Sequence, residues 1–211
     1  MLQKGDPGLS YIARIIQVMV FGPILSNIGK HVSLEVDEIA FFTSLLQYRE
    51  IPKKEYLLKE GQLCRTISYV ESGALRAFHL SPDGKDSTIM FAIADWWITD
   101  MYCFVMEQPA MQNIVAIDDS RVWQLKKEDL ERLYVQVPKF ERFFRIIMQH
   151  SYIREQLRVL QNLSLSAEER YDIFLNKYPR VIPYLSQKQI ASYLGVTPEF
   201  LSTVRRNKAG K

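Results

Sequence analysis

The spacing of apolar residues changes twice along the chain, and these changes divide it into three parts. Residues 34–48 place Ile39, Phe42, Leu45 and Leu46 on one helical face, with Ser33 as the candidate N-cap. From residue 49 onward the apolar residues form short runs, and a Gly-containing turn follows about every ten residues. Beyond residue 127 the helical spacing returns. The pattern therefore predicts a helix, then an all-β module, then further helices.

The middle part has the composition of strands in an antiparallel sheet. Five segments are rich in β-branched and aromatic residues, namely residues 66–70, 74–80, 87–93, 113–117 and 121–125. The turn at residues 81–84, Ser-Pro-Asp-Gly, has strong turn chemistry. Short strands with such regular turns predict a jelly roll or barrel.

The first residues are harder to interpret. Residues 11–25 are largely apolar, but Arg14 and Gln17 interrupt the run, and no small-residue cleavage site follows. The run is too short to span a bilayer. We expect an amphipathic helix that lies on the body of the protein or on a partner subunit; a targeting segment is the alternative.

A long helix is predicted after Pro138, with an apolar seam at heptad spacing. The seam consists of Phe143, Ile146, His150, Ile153, Leu157 and Leu160. We interpret it as a dimerisation helix, the alternative being a single helix packed on its own domain. His150 could form a pH-sensitive pair across the dimer, although a simple hydrogen bond is the more common role of such a residue.

The C-terminal part carries the signals of a helix–turn–helix. Ser186 and Gln189 form a capping box, Gly195 suits a left-handed helix end, and Thr197-Pro198 begins a second helix at once. In such a motif the second helix enters the DNA major groove. An ordinary corner between two packed helices is the alternative.

The expected DNA contacts lie on the side of the second helix opposite Leu201 and Val204. Residues 168–211 hold 8 Lys or Arg against 4 Asp or Glu, whereas residues 1–167 hold 19 against 20. A basic C-terminal region on a neutral body favours a nucleic-acid partner there. Base contacts are expected from Glu199, Ser202, Thr203 and Arg206, and phosphate or positioning contacts from Ser186, Gln187, Lys188, Thr197, Arg205 and Lys208, with Lys211 also available.

Composition narrows the class of protein. The chain has 211 residues, 47% hydrophobic and 24% charged, which is ordinary for a globular protein. Its two cysteines, Cys64 and Cys103, are expected to be free thiols in a reducing cytoplasm, and they exclude an all-cysteine iron–sulfur cluster within one chain. No catalytic motif or metal-ligand spacing occurs, so we expect no enzymatic activity, no cofactor and no metal.

The order of parts resembles the Crp/Fnr family of bacterial transcription regulators. The resemblance rests on IPKKEYLLKEG at residues 51–61, SGALRAFHLSPDGK at 72–85, AEERY at 167–171 and SQKQIASYLGVTPEFLS at 186–202. It implies an α+β chain with a cyclic-nucleotide-binding-like β-roll and a DNA-binding domain. The expected divisions are an N-terminal helical extension (1–32), the β-roll (33–137), the dimerisation helix (138–163) and a short helix–turn–helix domain without a wing (164–211).

The chain departs from the members of this family that bind cyclic AMP. Residues 94–100 read ADWWITD where those members carry a Gly-Glu pair, and no arginine lies between Arg76 and Arg121. Cyclic AMP binding is therefore not expected, since a phosphate there would lack a partner. A candidate effector pocket consists of Arg76, Trp96, Trp97, Met101 and Tyr102; these aromatic residues either bind a hydrophobic effector or fill the pocket, and filling is favoured.

The sequence thus predicts a homodimeric, cytoplasmic regulator that binds double-stranded DNA. RNA polymerase is a possible further partner, and a small-molecule effector is either unknown or absent. The alternative is a sensor or scaffold protein whose helix–turn–helix serves protein contacts.

Overall fold

A computed structural model describes residues 20–209, with side chains described through residue 207. The helices are α1 (described over residues 20–29), α2 (Val36–Ser44), α3 (Met101–Met106), α4 (Lys127–Gln136), α5 (Lys139–Ser164), α6 (Ala167–Lys177), α7 (Gln187–Leu194) and α8 (Pro198–Ala209). The strands are β1 (Gln47–Ile51), β2 (Tyr56–Leu58), β3 (Thr66–Ser72), β4 (Ala74–Leu80), β5 (Asp86–Ile93), β6 (Trp97–Ile98), β7 (Asn113–Ala116) and β8 (Ser120–Lys126).

The strands form two four-stranded antiparallel sheets, which confirms the predicted α+β fold with a β-roll. One sheet has the order β1-β8-β3-β6 and the other β2-β7-β4-β5. Each sheet presents apolar residues such as Ile67, Val70, Leu75 and Ile114 to a shared core. The five strands expected from composition all form, whereas β1, β2 and β6 were not predicted.

The predicted helix over residues 34–48 is wrong at both ends. Its N-cap is Glu35, which forms a capping box with Glu38, and not Ser33. The helix stops at Ser44, and Gln47 already pairs with Gln124 in β8. Lys139 Nζ lies 2.7 Å from Glu38 Oε2, and this hydrogen bond holds the pKa of Glu38 below its usual value.

The first turns of α5 belong to the core of the roll. Phe140, Phe143 and Phe144 are buried, and the rings of Phe143 and Phe144 pack edge-on against Trp97 at 5.8 and 5.4 Å. Phe143 is fully buried in its own chain, so its assignment to a seam between two chains is wrong. An apolar residue at heptad spacing can pack either against a partner helix or against its own domain. Phe143 packs against the roll of its own chain.

Helix α1 closes one side of this core. Ile24 and Ile28 are fully buried, and the ring of Phe21 lies 4.7 Å from that of Trp123. The described end of the helix predicted over residues 11–25 therefore lies on the body of its own chain, while residues 11–19 fall outside the described range. Within the described residues no helix is long and apolar enough to cross a membrane.

The C-terminal helices pack on the outer face of the β2-β7-β4-β5 sheet. Ala74, Phe91, Ile93 and Ile117 of the roll share one apolar cluster with side chains of α6, α7 and α8. Those helical side chains are Tyr171, Phe174, Ile190, Ala191, Leu194, Leu201 and Val204. The helix–turn–helix is thereby docked on the roll by a continuous apolar contact.

Strand β5 lies at the edge of its sheet, and polar side chains of α7 and α5 cover that edge. Thr88 N–H donates to Ser192 Oγ (2.8 Å), and Ser192 Oγ donates to Asp86 O (2.8 Å). Arg158 donates to the carbonyls of Thr88 (2.7 Å), Ile89 and Tyr193 (3.1 Å). Ile89 is the extra residue of a β-bulge, since Ala77 pairs with Met90 and Phe78 with Thr88. The bulge turns two successive carbonyls toward the same arginine.

Candidate nucleic-acid interface

Local hydrogen bonds fix the start of α7 as the sequence predicts. Ser186 Oγ accepts from Gln189 N–H (3.3 Å), while Gln189 Oε1 accepts from Ser186 N–H (2.8 Å). This capping box satisfies two of the amides that a helix start leaves unpaired. Gln187 and Lys188, in the first turn, are exposed.

The turn between α7 and α8 has the predicted conformation. Gly195 adopts φ = 71°, a left-handed conformation that only glycine adopts without strain, and Val196 N–H donates to Ala191 O (3.0 Å). Thr197 Oγ1 then accepts from Phe200 N–H (3.2 Å), which caps the start of α8. These contacts set the angle between the two helices.

Helix α8 buries one side and exposes the other. Leu201 and Val204 are 1% and 2% exposed, and they anchor the helix on α7 and α6. Two hydroxyls on the exposed side donate to their own helix, Ser202 Oγ to Pro198 O (2.9 Å) and Thr203 Oγ1 to Glu199 O (3.2 Å). Both oxygens keep free lone pairs that can accept from a base amino group.

All predicted DNA contacts with described side chains are exposed to solvent. They are Ser186, Gln187, Lys188, Thr197, Glu199, Ser202, Thr203, Arg205 and Arg206, while the side chains of Lys208 and Lys211 fall outside the described residues. Sequence reasoning missed Phe200, which is 48% exposed on α8 despite its apolar ring. Its position beside Leu201 made it resemble a core residue; only the register of the helix reveals that it faces outward.

The remaining seam residues of α5 differ in exposure. Ile146 is half-buried, whereas Ile153, Leu157 and Leu160 are exposed. His150 is exposed as well, and its ring centre lies 6.1 Å from that of His31 in the same chain. Tyr152, Val159 and Leu163 form a second exposed apolar row on the same helix. The second half of α5 therefore carries a wide apolar face that its own chain leaves uncovered.

The five residues of the candidate effector pocket are not brought together. Arg76 is 6% exposed, forms a two-pronged pair with Asp86, and also contacts Thr88 and Ser192. It therefore belongs to the contact between the roll and α7, and its assignment to the pocket is wrong. A buried arginine needs a carboxylate partner, and Asp86 supplies one.

Trp96, Trp97 and Met101 line a cleft of about 530 Å³ between the roll and α5, but Tyr102 does not. The ring of Trp97 packs against that of Tyr69, and its indole N–H donates to Asn27 Oδ1 (2.9 Å). The neighbouring Tyr69 lies within hydrogen-bonding reach of Asp95, and burial raises the pKa of Tyr69. The indole of Trp97 thus fills part of the region, and the cleft lies beside it.

A carboxylate occupies the start of α3, close to the residues where the resemblance implies a phosphate site in members that bind cyclic AMP. Asp100 is 2% exposed and accepts from Cys103 N–H (3.1 Å) and Met111 N–H (3.2 Å). The side chain therefore uses two backbone donors that an anionic ligand would need. A phosphate in the same place would meet a buried negative charge.

The two cysteines are buried near each other, and Cys103 belongs to α3. Cys103 Sγ accepts from Cys64 N–H (2.8 Å), and burial raises the pKa of the Cys103 thiol. A thiol held protonated in this way reacts slowly. Within residues 20–209, no group of three or more His, Cys, Asp or Glu side chains is arranged to hold a metal.

Comparison with known proteins finds relatives of this architecture. Residues 48–136 match the model of the cyclic nucleotide-binding domain. The chain is 25% identical to the transcriptional activator protein Anr of Pseudomonas protegens over 167 residues, covering 74% of this chain and 68% of Anr. It is also 25% identical to the transcriptional activator protein FnrA of Stutzerimonas stutzeri over 199 residues, covering 85% and 78%.

Solved structures show the same fold. The global regulator CLP of Xanthomonas campestris, described as responsive to c-di-GMP, superposes with a TM-score of 0.69 at 13% identity, covering 83% of this chain and 92% of CLP. The matched domain, the aligned activators and the common fold support the resemblance of this chain to the Crp/Fnr family of transcription regulators.

Proposed function

We propose that the protein is a sequence-specific DNA-binding transcription regulator that acts as a homodimer and does not respond to cyclic AMP. The observation that carries this proposal is the exposed polar and basic side of α8, held at a fixed angle by Gly195 and the Thr197 cap. A helix presented in this way fits the major groove.

Each exposed group of α8 has a chemistry suited to base edges. Arg206 can donate two hydrogen bonds to guanine, and Glu199 can accept from the amino group of cytosine. The ring of Phe200 suits the methyl group of thymine. Lys188, at the first turn of α7, suits a phosphate, since it lies beside backbone amides at a helix start.

The exposed apolar face of α5 supports a dimer of this chain. Leu157 and Leu160 are 44% and 59% exposed, and Leu163 is 79% exposed. A monomer rarely leaves such a row in water, whereas a second copy of the same helix would cover it with matching side chains. Two-fold pairing also places two recognition helices one DNA turn apart.

Two features of the roll support the proposal that the protein does not bind a cyclic nucleotide. Asp100 caps α3, and Arg76 is already paired with Asp86, so neither the donors nor the charge for a cyclic phosphate are free. The cleft beside Trp97 has mainly apolar walls, so any ligand there would be recognised by its apolar surface.

The proposal is tested by selecting sites from random duplex DNA with the purified full-length protein at two salt concentrations. We expect an enriched two-fold-symmetric site and steep salt dependence, because contacts to phosphates release counterions. Arg206→Ala should cost about 1–3 kcal/mol and relax specificity at one base position of each half-site. Lys188→Gln should weaken binding to every sequence and lower the salt slope by about 1 per lost contact.

The matched control is Arg142→Ala, which removes the same charge from an exposed position of α5. It should leave both specificity and salt slope unchanged. Weak binding without enrichment or salt dependence would refute the proposal and favour a helix–turn–helix that contacts protein.

A further inference from the structure

A groove between α5, α6 and α7 is lined by four cationic side chains and by no carboxylate. Arg154 and Arg158 come from α5, and Arg170 and Lys177 from α6. We propose that this groove binds a small oxyanion, namely a phosphate group that is free or lies at the end of a small metabolite. The groove shares Arg154 with the cleft beside Trp97, and none of its lining residues comes from α8.

Two of the cations, Arg154 and Arg158, are held in place by neutral groups and share a single carboxylate. Arg158 donates to backbone carbonyls of β5 and α7, and its guanidinium lies 4.2 Å from the centre of the Tyr193 ring. Arg154 Nη2 donates to Ser151 Oγ (2.9 Å). The nearby carboxylate of Glu155 lies 3.4 Å from Arg154 and 3.9 Å from Arg158, so one negative charge faces two guanidinium groups. The groove keeps an excess of positive charge.

One N–H group of Arg170 has no hydrogen-bond acceptor, and a ligand in the groove could supply one. Its Nη1 donates to Asn162 Oδ1 (3.0 Å), but its Nε is buried and has no hydrogen-bond partner. A buried N–H without an acceptor is costly, so such a group indicates a missing partner. An oxyanion would supply it, since the planar donors of a guanidinium match phosphate and carboxylate oxygens.

Lys177 adds a cation at the exposed side of the groove. Its Nζ lies 5.4 Å from the centre of the Tyr178 ring, and within residues 20–209 it forms no ion pair. The rings of Tyr178 and Tyr193 are 6.2 Å apart and form an apolar wall, which strengthens the attraction between charges by excluding water.

The size of the groove limits the ligand. Its volume of about 20 Å³ compares with the roughly 10–15 Å³ that one water molecule needs. One oxygen atom of a phosphate group can therefore enter, while the rest of the group and of any larger molecule would remain in solvent. A ring system such as a nucleobase would not fit inside.

An anion bound here would contact the long helix and the helix–turn–helix domain at the same time. It would hold α6 and α7 at one angle to α5 and so favour one placement of α8. DNA affinity and anion affinity would then change by the same factor, as linkage requires. This consequence rests on the proposed DNA-binding function, whereas anion binding itself does not.

The test is a titration of the full-length protein with inorganic phosphate, followed by ³¹P line broadening and by thermal unfolding, against chloride at matched ionic strength. We expect saturable binding and a rise in Tm with phosphate. Arg170→Gln should weaken phosphate binding about tenfold, as the loss of one charge-assisted hydrogen bond implies. Lys177→Gln, an exposed change that leaves the fold intact, should weaken it severalfold.

Arg142→Gln is the matched control, since it removes an exposed arginine of α5 outside the groove. Phosphate affinity should be unchanged in this variant. The inference is overturned by the absence of saturable binding, or by equal affinity in the wild type and in both groove variants. The inference is also overturned if a short non-specific DNA duplex displaces phosphate in proportion to the amount of duplex added. The groove would then be a contact for the DNA backbone. Failure of phosphate binding with intact DNA selection would refute only this inference.

Discussion

Ser192 is a polar residue of α7 whose replacement by alanine tests how the helix–turn–helix is docked. Its hydroxyl accepts from Thr88 N–H (2.8 Å) and donates to Asp86 O (2.8 Å), and Arg76 Nη2 lies 3.3 Å away. Thr88 is 2% exposed, so no water can replace the lost acceptor. Ser192→Ala therefore leaves a buried backbone donor unpaired.

The size of the effect follows from two opposing contributions. A buried donor without a partner costs about 1–3 kcal/mol. Alanine in place of serine inside a helix gains about 0.5 kcal/mol. We therefore expect Ser192→Ala to lower the free energy of unfolding by about 0.5–2.5 kcal/mol.

Urea denaturation followed by far-UV circular dichroism measures this loss, and hydrogen exchange at the Thr88 amide localises it. The matched control is Ser202→Ala on α8, where the hydroxyl is exposed and bonds only to its own helix. That variant should be within about 0.5 kcal/mol of the wild type, as surface changes usually are. Equal stability of the two variants, with unchanged exchange at Thr88, would refute the reasoning.

Three further predictions concern the turn, the exposed face of α5 and a helix cap. Gly195→Ala should lower the free energy of unfolding by about 1–2 kcal/mol, because alanine is strained in the left-handed backbone conformation. Gly73→Ala should lower it further, because the added Cβ would lie 2.3 Å from Asp119 O. Thermal unfolding of both variants checks this order. Leu157→Glu should reduce self-association in sedimentation velocity without unfolding the monomer, since the side chain is already 44% exposed, and an unchanged dimer would exclude this face. Hydrogen bonds from Ser166 hold the pKa of Glu169 below its usual value. The unfolded chain therefore takes up the proton first, and stability should fall as the pH drops through the acidic range in which glutamates titrate. Glu169→Gln should lessen this loss in urea titrations at several pH values, and an unchanged pH profile would contradict the assignment.

The predictions that succeeded depend on neighbours in sequence. The Ser186 cap and the Gly195 turn depend on residues within four positions, so the local amino-acid sequence is enough to predict them. The exposed face of α8 follows in the same way once Leu201 and Val204 are assigned to its buried side.

The predictions that failed depend on what covers a surface. Phe143 and Leu157 share one heptad pattern, yet the roll buries the first and leaves the second in water. The contact of Ser192 with strand β5 was not predicted at all, because nothing in the neighbouring sequence indicates that an edge strand lies against this residue. Strand β1 was not predicted, because four of its five side chains are not buried. The strand therefore lacks the alternation of apolar and polar residues on which strand prediction relies.

The covering of strand β5 has a consequence for the order in which the protein is made. A ribosome completes β5 long before it has synthesised Arg158 and Ser192, so the growing roll carries an unpaired strand edge beside the apolar side chains of Phe91 and Ile93. Such an edge is a template for pairing with another chain. We therefore expect the nascent N-terminal half to need a chaperone until its own C-terminal helices arrive.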